Sequence, residues 1–164
     1  MFKSKSAAVC AMLAATTTLT LAQGVVTERS IGAGLAQEAV AAAVAECLSK
    51  GYRVSAAVVD RAAQLKAQLR ADGAGPHTLD SSRKKAFTSA TLRAPTTALL
   101  ELVQKNPGAQ TLPLMEGVLI LGGGLPIRAG NDVVGAIGVG GAPGGHLDDA
   151  CSQAGIDKIK DRLN

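Results

Sequence analysis

His77 and His146 are the only two histidines in the chain, and imidazole is the side chain best suited to ligate a metal or move a proton near neutral pH. His77 stands in the segment Gly75-Pro76-His77, shortly before the basic run Arg83-Lys84-Lys85. Its plainest reading is a solvated loop histidine; its functional reading is a donor to a bound metal centre. His146 sits beside Asp148 and Asp149 at the start of a helical stretch, where a capping or surface role is favoured. Met115 offers a soft sulfur, but a methionine before an apolar run ordinarily packs. Asp60, Asp72, Glu101 and Glu116 are scattered, and no pair has the spacing of a general acid and base. Nothing resembles a nucleophile elbow. The absence of CxxC or any Cys/His cluster argues against a structural zinc site.

The glycines carry the densest signal. Eleven of the 29 residues from 117 to 145 are Gly, with apolar residues placed regularly between them. The run 140–145 before a helix invites an anion-binding reading. Asp148 and Asp149 would repel a phosphate there, and no Lys-Ser/Thr follows, so a tight structural turn is favoured. Glycine inside a strand weakens it unless something approaches closely; the approaching body here is a helix, another subunit or a ligand.

These residues need elements to position them. Ala36, Val40, Ala43, Val44, Cys47 and Leu48 fall on one face of a helix over 30–50, with Ser30 as N-cap and Gly51 as stop. Residues 54–60 and the alternating Leu65, Ala67 and Leu69 predict an antiparallel hairpin. Thr78 or Asp80 can cap a second helix running to about Leu92. Pro95 ends it, and a short helix follows over 96–105. Strands are expected at 118–121, 125–128 and 133–139, the last two joined by a turn at Gly130-Asn131-Asp132. A last helix has acids first and Lys158, Lys160 and Arg162 near its end, as the helix dipole favours. The order helix, two strands, two helices, three strands, helix gives an α+β class with a mostly antiparallel five-stranded sheet and flanking helices.

Lys3 and Lys5 followed by the uncharged stretch 7–21 read as a secretory signal peptide, cleaved after Ala22. That leaves a single domain over 23–164, periplasmic or secreted. Losing two of the 17 cations and none of the 13 acids lowers the side-chain charge from +4 to +2. With so small a charge and only 2% aromatic residues, the domain is not a nucleic-acid binder. The apolar run is too short and too Thr-rich for a membrane span. Cys47 and Cys151 sit among Ala and Leu at helical positions, which favours two buried free thiols, although export makes a disulfide possible.

Several stretches together resemble the GlcG/HbpS-like family, also found as the C-terminal domain of PduO-type proteins. They are Ala57-Val58-Val59-Asp60 with Leu65 and Ala67, Arg70-Ala71-Asp72-Gly73-Ala74, and Lys85-Ala86-Phe87-Thr88-Ser89-Ala90. The most specific is Gly123-Gly124-Leu125-Pro126-Ile127-Arg128, followed by Val134-Gly135-Ala136-Ile137-Gly138-Val139 and Gly141-Ala142-Pro143-Gly144-Gly145. The chain departs from the family at Ala63, where relatives usually carry Gly, and at His77, where many carry no histidine. The resemblance implies a profilin-like or PAS-like sheet with flanking helices, assembled as a homo-oligomer (a dimer or larger). It implies binding of haem or a related planar cofactor, with a role in haem or redox sensing and a sensor-protein partner. The alternative it leaves is an accessory or weakly catalytic protein of small-molecule catabolism that holds no haem.

A haem site needs an apolar slot, an axial donor and cations for the propionates. His77 is the candidate axial ligand by its place beside the basic run and not by transfer from the family, and Arg70, Arg83, Lys84, Lys85, Arg93 and Arg128 are the polar candidates around it. The expected cleft lies between the second helix and the glycine-rich strands, near a subunit interface.

Overall fold

The computed structural model describes residues 24–163; the signal-peptide reading of 1–22 lies outside them. Four helices and four strands follow one another as α1 (Ala33–Ser49), β1 (Ser55–Asp60), β2 (Leu65–Arg70), α2 (His77–Leu92), α3 (Thr96–Lys105), β3 (Gly124–Ala129), β4 (Asp132–Gly140) and α4 (Gly145–Ile159). The strands form one antiparallel sheet in the order β2-β1-β4-β3. The α+β class and the flanking helices are as the sequence predicts. The sheet has four strands, not five. Residues 118–121 do not pair, because the Leu119 N–H is taken by the Thr88 hydroxyl of α2 at 2.8 Å.

The two faces of the sheet are covered differently. Ala56 and Val58 of β1, with Ile127, Ile137 and Val139, pack against α1 and α4 in the main core. Of the predicted α1 stripe, Ala36, Val40, Ala43, Val44 and Cys47 are buried and Leu48 is exposed. The N-cap of α1 is Gly32 and not Ser30. The Ile31 N–H reaches Val134 O on β4 at 2.9 Å, and the Ser30 hydroxyl accepts the Arg61 N–H at 3.3 Å, so the chain is still extended there.

Cys47 and Cys151 are joined in a disulfide, with Cα atoms 5.6 Å apart, which corrects the reading of two free thiols. Both cysteines stand on the core faces of α1 and α4, which pack against one another. Gly155 lets the helices approach: a Cβ there would lie 2.7 Å from Ala39 O. Nothing in the sequence announces that contact across 104 residues.

The opposite face carries α2. A Cβ at Gly138 would meet Ser82 O at 2.2 Å, one at Gly124 would meet Lys85 O at 2.5 Å, and one at Gly140 would meet the Ser81 hydroxyl at 2.5 Å. Small residues on the helix complete the fit, with Ala86 and Ala90 packed on Val59 and Ala136. The body lying flush on the glycines is therefore the protein's own second helix. This overturns the expected cleft between α2 and the strands, because backbone-to-backbone packing fills that space.

Candidate functional site

One opening beside the sheet's glycine face lies at the end of α2. The chain leaves β4 at Gly141 (φ +128°), where a Cβ would stand 2.8 Å from Arg53 O. It then turns over the N-terminus of α2 before entering α4. Between this loop and α2 lies a cleft of about 290 Å³, lined by His77, Ser81, Lys85, Leu121, residues 141–145 and Asp148.

The cleft floor is an ion pair. Lys85 points inward from α2, 2% exposed, and its Nζ donates to Asp148 Oδ2 at 2.7 Å and to Val139 O at 2.9 Å. Asp148 Oδ1 accepts the Ala142 N–H at 3.1 Å. Burial pushes the Asp148 carboxyl above its ordinary range, opposed by Lys85 and the Ala142 N–H, while Asp149 adds to the rise. Asp149 accepts the Gly123 N–H at 2.6 Å and the Thr97 hydroxyl. Ser152 Oγ donates to Gly123 O at 2.7 Å. The acids at the head of α4 thus serve as clamps: Asp148 holds α2 and the 140–145 loop, and Asp149 holds the entry to β3. Such buried, mutually satisfied pairs are costly to break singly.

The predicted site residues are only partly brought together. His77 is the first residue of α2 rather than part of a loop; it is exposed at the cleft, and its imidazole has no hydrogen bond or ion pair among the described residues. Neither Thr78 nor Asp80 caps the helix; Thr78 Oγ1 donates to Gly75 O at 2.6 Å and shares a bond with Ser55. Arg70 reaches Ala74 O at 2.8 Å, in the segment that leads to His77. Arg83 and Lys84 pair with Asp80 at 3.0 and 2.8 Å and hold its carboxyl below the usual range. They line a separate cleft of about 500 Å³ with Phe87, Glu116 and Gly117.

Lys85 is internal. Arg93 (φ +55°) ends α2, and its carbonyl accepts Arg128 Nη2 at 3.1 Å. The 16 residues of α2 put this pair about 24 Å from His77 along the helix axis, out of reach of a ligand held there.

His146 is exposed and makes no cap bond; α4 begins without a side-chain cap. Sequence reasoning missed Ser81, Leu121 and the Lys85–Asp148 pair. The first two lack any pattern, and the pair is separated by 63 residues. Clefts of about 350 and 360 Å³ elsewhere carry no histidine, cysteine or methionine. Among the described residues no group of three or more metal-ligating side chains occurs. No helix there is long and apolar enough to cross a membrane.

Comparison with known proteins adds a family. Residues 31–157 match the family described as haem degrading protein, HbpS-like. The crystal structure of HbpS superposes with a TM-score of 0.77 at 38% identity, over 81% of this chain and 92% of HbpS. A 15.0 kDa protein of the dhaT–dhaS intergenic region of Citrobacter freundii is 34% identical over 110 residues, 65% of this chain and 76% of its own length. The PduOC:heme complex shares the fold, with a TM-score of 0.71 at 22% identity over 79% of this chain and 95% of that one.

Proposed function

The chain belongs to the HbpS-like family of haem degrading proteins, and on that premise we propose that it is an exported haem-binding protein whose His77 imidazole is the axial donor to the iron. The observation that carries this reading is an exposed imidazole, bonded to nothing among the described residues, at the mouth of a cleft. Leu121, Ala142 and Pro143 supply apolar walls. The glycines of the loop let a flat ligand approach the backbone. Arg70, held beside the segment preceding His77, is the cation placed to meet a propionate. The end of α2 is the place proposed for the haem, because the sheet face is filled by α2. A bound haem iron would supply the redox chemistry, and His77, Arg70 and the apolar wall would hold it.

Export is supported by the signal-like pattern of 1–22 and by a disulfide, which persists in oxidising compartments. A homo-oligomer and a sensor-protein partner complete the proposal, with a part in haem or redox sensing. Haemin titration of the purified protein tests it. A saturable Soret shift that is lost or strongly weakened in His77→Ala is expected. No shift ends the haem reading, and a shift unchanged in His77→Ala ends the ligand assignment.

A further inference from the structure

The Cys47–Cys151 bond ties α1 to α4, and both residues are at 0% exposure. One turn along each helix, Gly155 brings the two backbones together. A Cβ there would meet Ala39 O at 2.7 Å and Ala43 Cβ at 3.2 Å. On the other side, Cys47 O accepts the Tyr52 N–H at 2.9 Å, and Tyr52 packs against the same core as the two cysteines. A cleft of about 640 Å³ lies along the α1–α4 seam, but neither cysteine lines it, nor any of the clefts described above. Reduction of a disulfide starts when a thiolate reaches one sulfur: a mixed disulfide forms and the other sulfur leaves as a thiolate. A second thiolate then releases the first cysteine, so two electrons pass from the dithiol to the protein. The folded protein offers a thiolate no approach to either sulfur, and exchange must wait for α1 and α4 to part.

We propose that Cys47–Cys151 is a lock closed once, while the chain folds, and is not a redox-responsive element of the folded protein. Closure joins the two sulfurs and passes two electrons and two protons to an oxidant of the disulfide class, which leaves as thiols. Cys10, the one other cysteine of the chain, stands in the stretch read as a signal peptide, so cleavage there leaves these two with no competing thiol. The inference goes beyond the reading above: a redox response of the folded protein then resides in its bound cofactor and not in its cysteines.

The test exposes the purified protein, without haemin, to dithiothreitol with and without urea. Samples are quenched with iodoacetamide and their alkylated thiols counted by mass. Reduction of the folded protein is expected to be slower than that of the urea-unfolded chain by about 10³-fold or more, because the folded-to-unfolded ratio of a small domain is of that order or greater. The folded protein is also expected to keep its bond over hours in glutathione buffers from largely reduced to largely oxidised. A smaller slowing, or a bond that follows the glutathione ratio while the circular dichroism stays native, overturns the inference. No haemin enters the assay, so either result leaves the haem reading standing, and failure of the haemin titration leaves this inference standing.

Discussion

Replacing Lys85 by Met removes the cation from a site that excludes water. The ammonium is 2.7 Å from Asp148 Oδ2 and 2.9 Å from Val139 O, and the two side chains are 2% and 4% exposed. Met fills most of the volume but leaves a buried carboxylate with only the Ala142 N–H. Breaking one half of such a pair costs about 3–5 kcal/mol, a large part of the roughly 5–15 kcal/mol that holds a domain folded. The pH dependence identifies the cause. Burial already raises the Asp148 carboxyl, and Lys85 is the chief opposing influence; without it the carboxyl rises further. A group raised on folding contributes stability that is fully present below its unfolded pKa and is lost as pH rises through its folded value. The deficit of Lys85→Met relative to wild type is therefore greatest at pH 7 and above, and narrows as pH falls toward 4, by about 1.4 kcal/mol per unit of additional rise. Urea denaturation of both proteins at several pH values measures it. The lowered carboxyls of Asp80 and Glu38 are common to both proteins and cancel in the difference. A deficit that is constant or widens toward acid refutes the reasoning, as does a Lys85→Met/Asp148→Leu double variant no more stable than the single one.

Three further outcomes follow from the packing. Reducing the Cys47–Cys151 bond releases a loop of about a hundred residues and lowers stability by about 4–5 kcal/mol on the chain-entropy estimate, read as a shift in urea midpoint with and without reductant. Gly138→Ala places a methyl 2.2 Å from Ser82 O, so α2 must lift from the sheet at a cost of about 1–3 kcal/mol or more, seen as a lower Tm. Ala63 sits at φ +60° in the β1–β2 turn, and Ala63→Gly relieves the left-handed strain of about 1–2 kcal/mol. The greater freedom of glycine when unfolded offsets part of this, so a rise in stability of about 0.5–1 kcal/mol is expected by the same assay.

Much of the fold was legible because local chemistry and tertiary context agree. The apolar spacing of α1, the alternation of β2, the Pro95 break and the Gly130-Asn131-Asp132 turn all act within a few residues, and each stands where the sequence puts it. The failures are cases where a distant partner decides. Residues 118–121 have a strand's composition, but Leu119 is claimed by Thr88. The strand glycines signal a close approach without saying by what, and the answer is the α2 backbone at Ser82 and Lys85. Lys85 reads as one cation of a basic run and a candidate for the haem propionates; its position on the inner face of α2 opposite Asp148 makes it a structural group instead. Of the site, His77 was visible as a residue type, while the cleft beside it was not, since Ser81, Leu121 and Pro143 meet only after three separate segments fold together.

Paramagnetic broadening of backbone amide resonances by ferric haemin locates the ligand directly. Broadening centred on His77, Ser81 and Gly141–Gly145, leaving Arg93 and Arg128 sharp, is the result that a haem at the end of α2 requires. Broadening centred on Phe87 and Gly117, or at the Arg93–Arg128 end of the helix, would place the cofactor elsewhere and contradict the assignment.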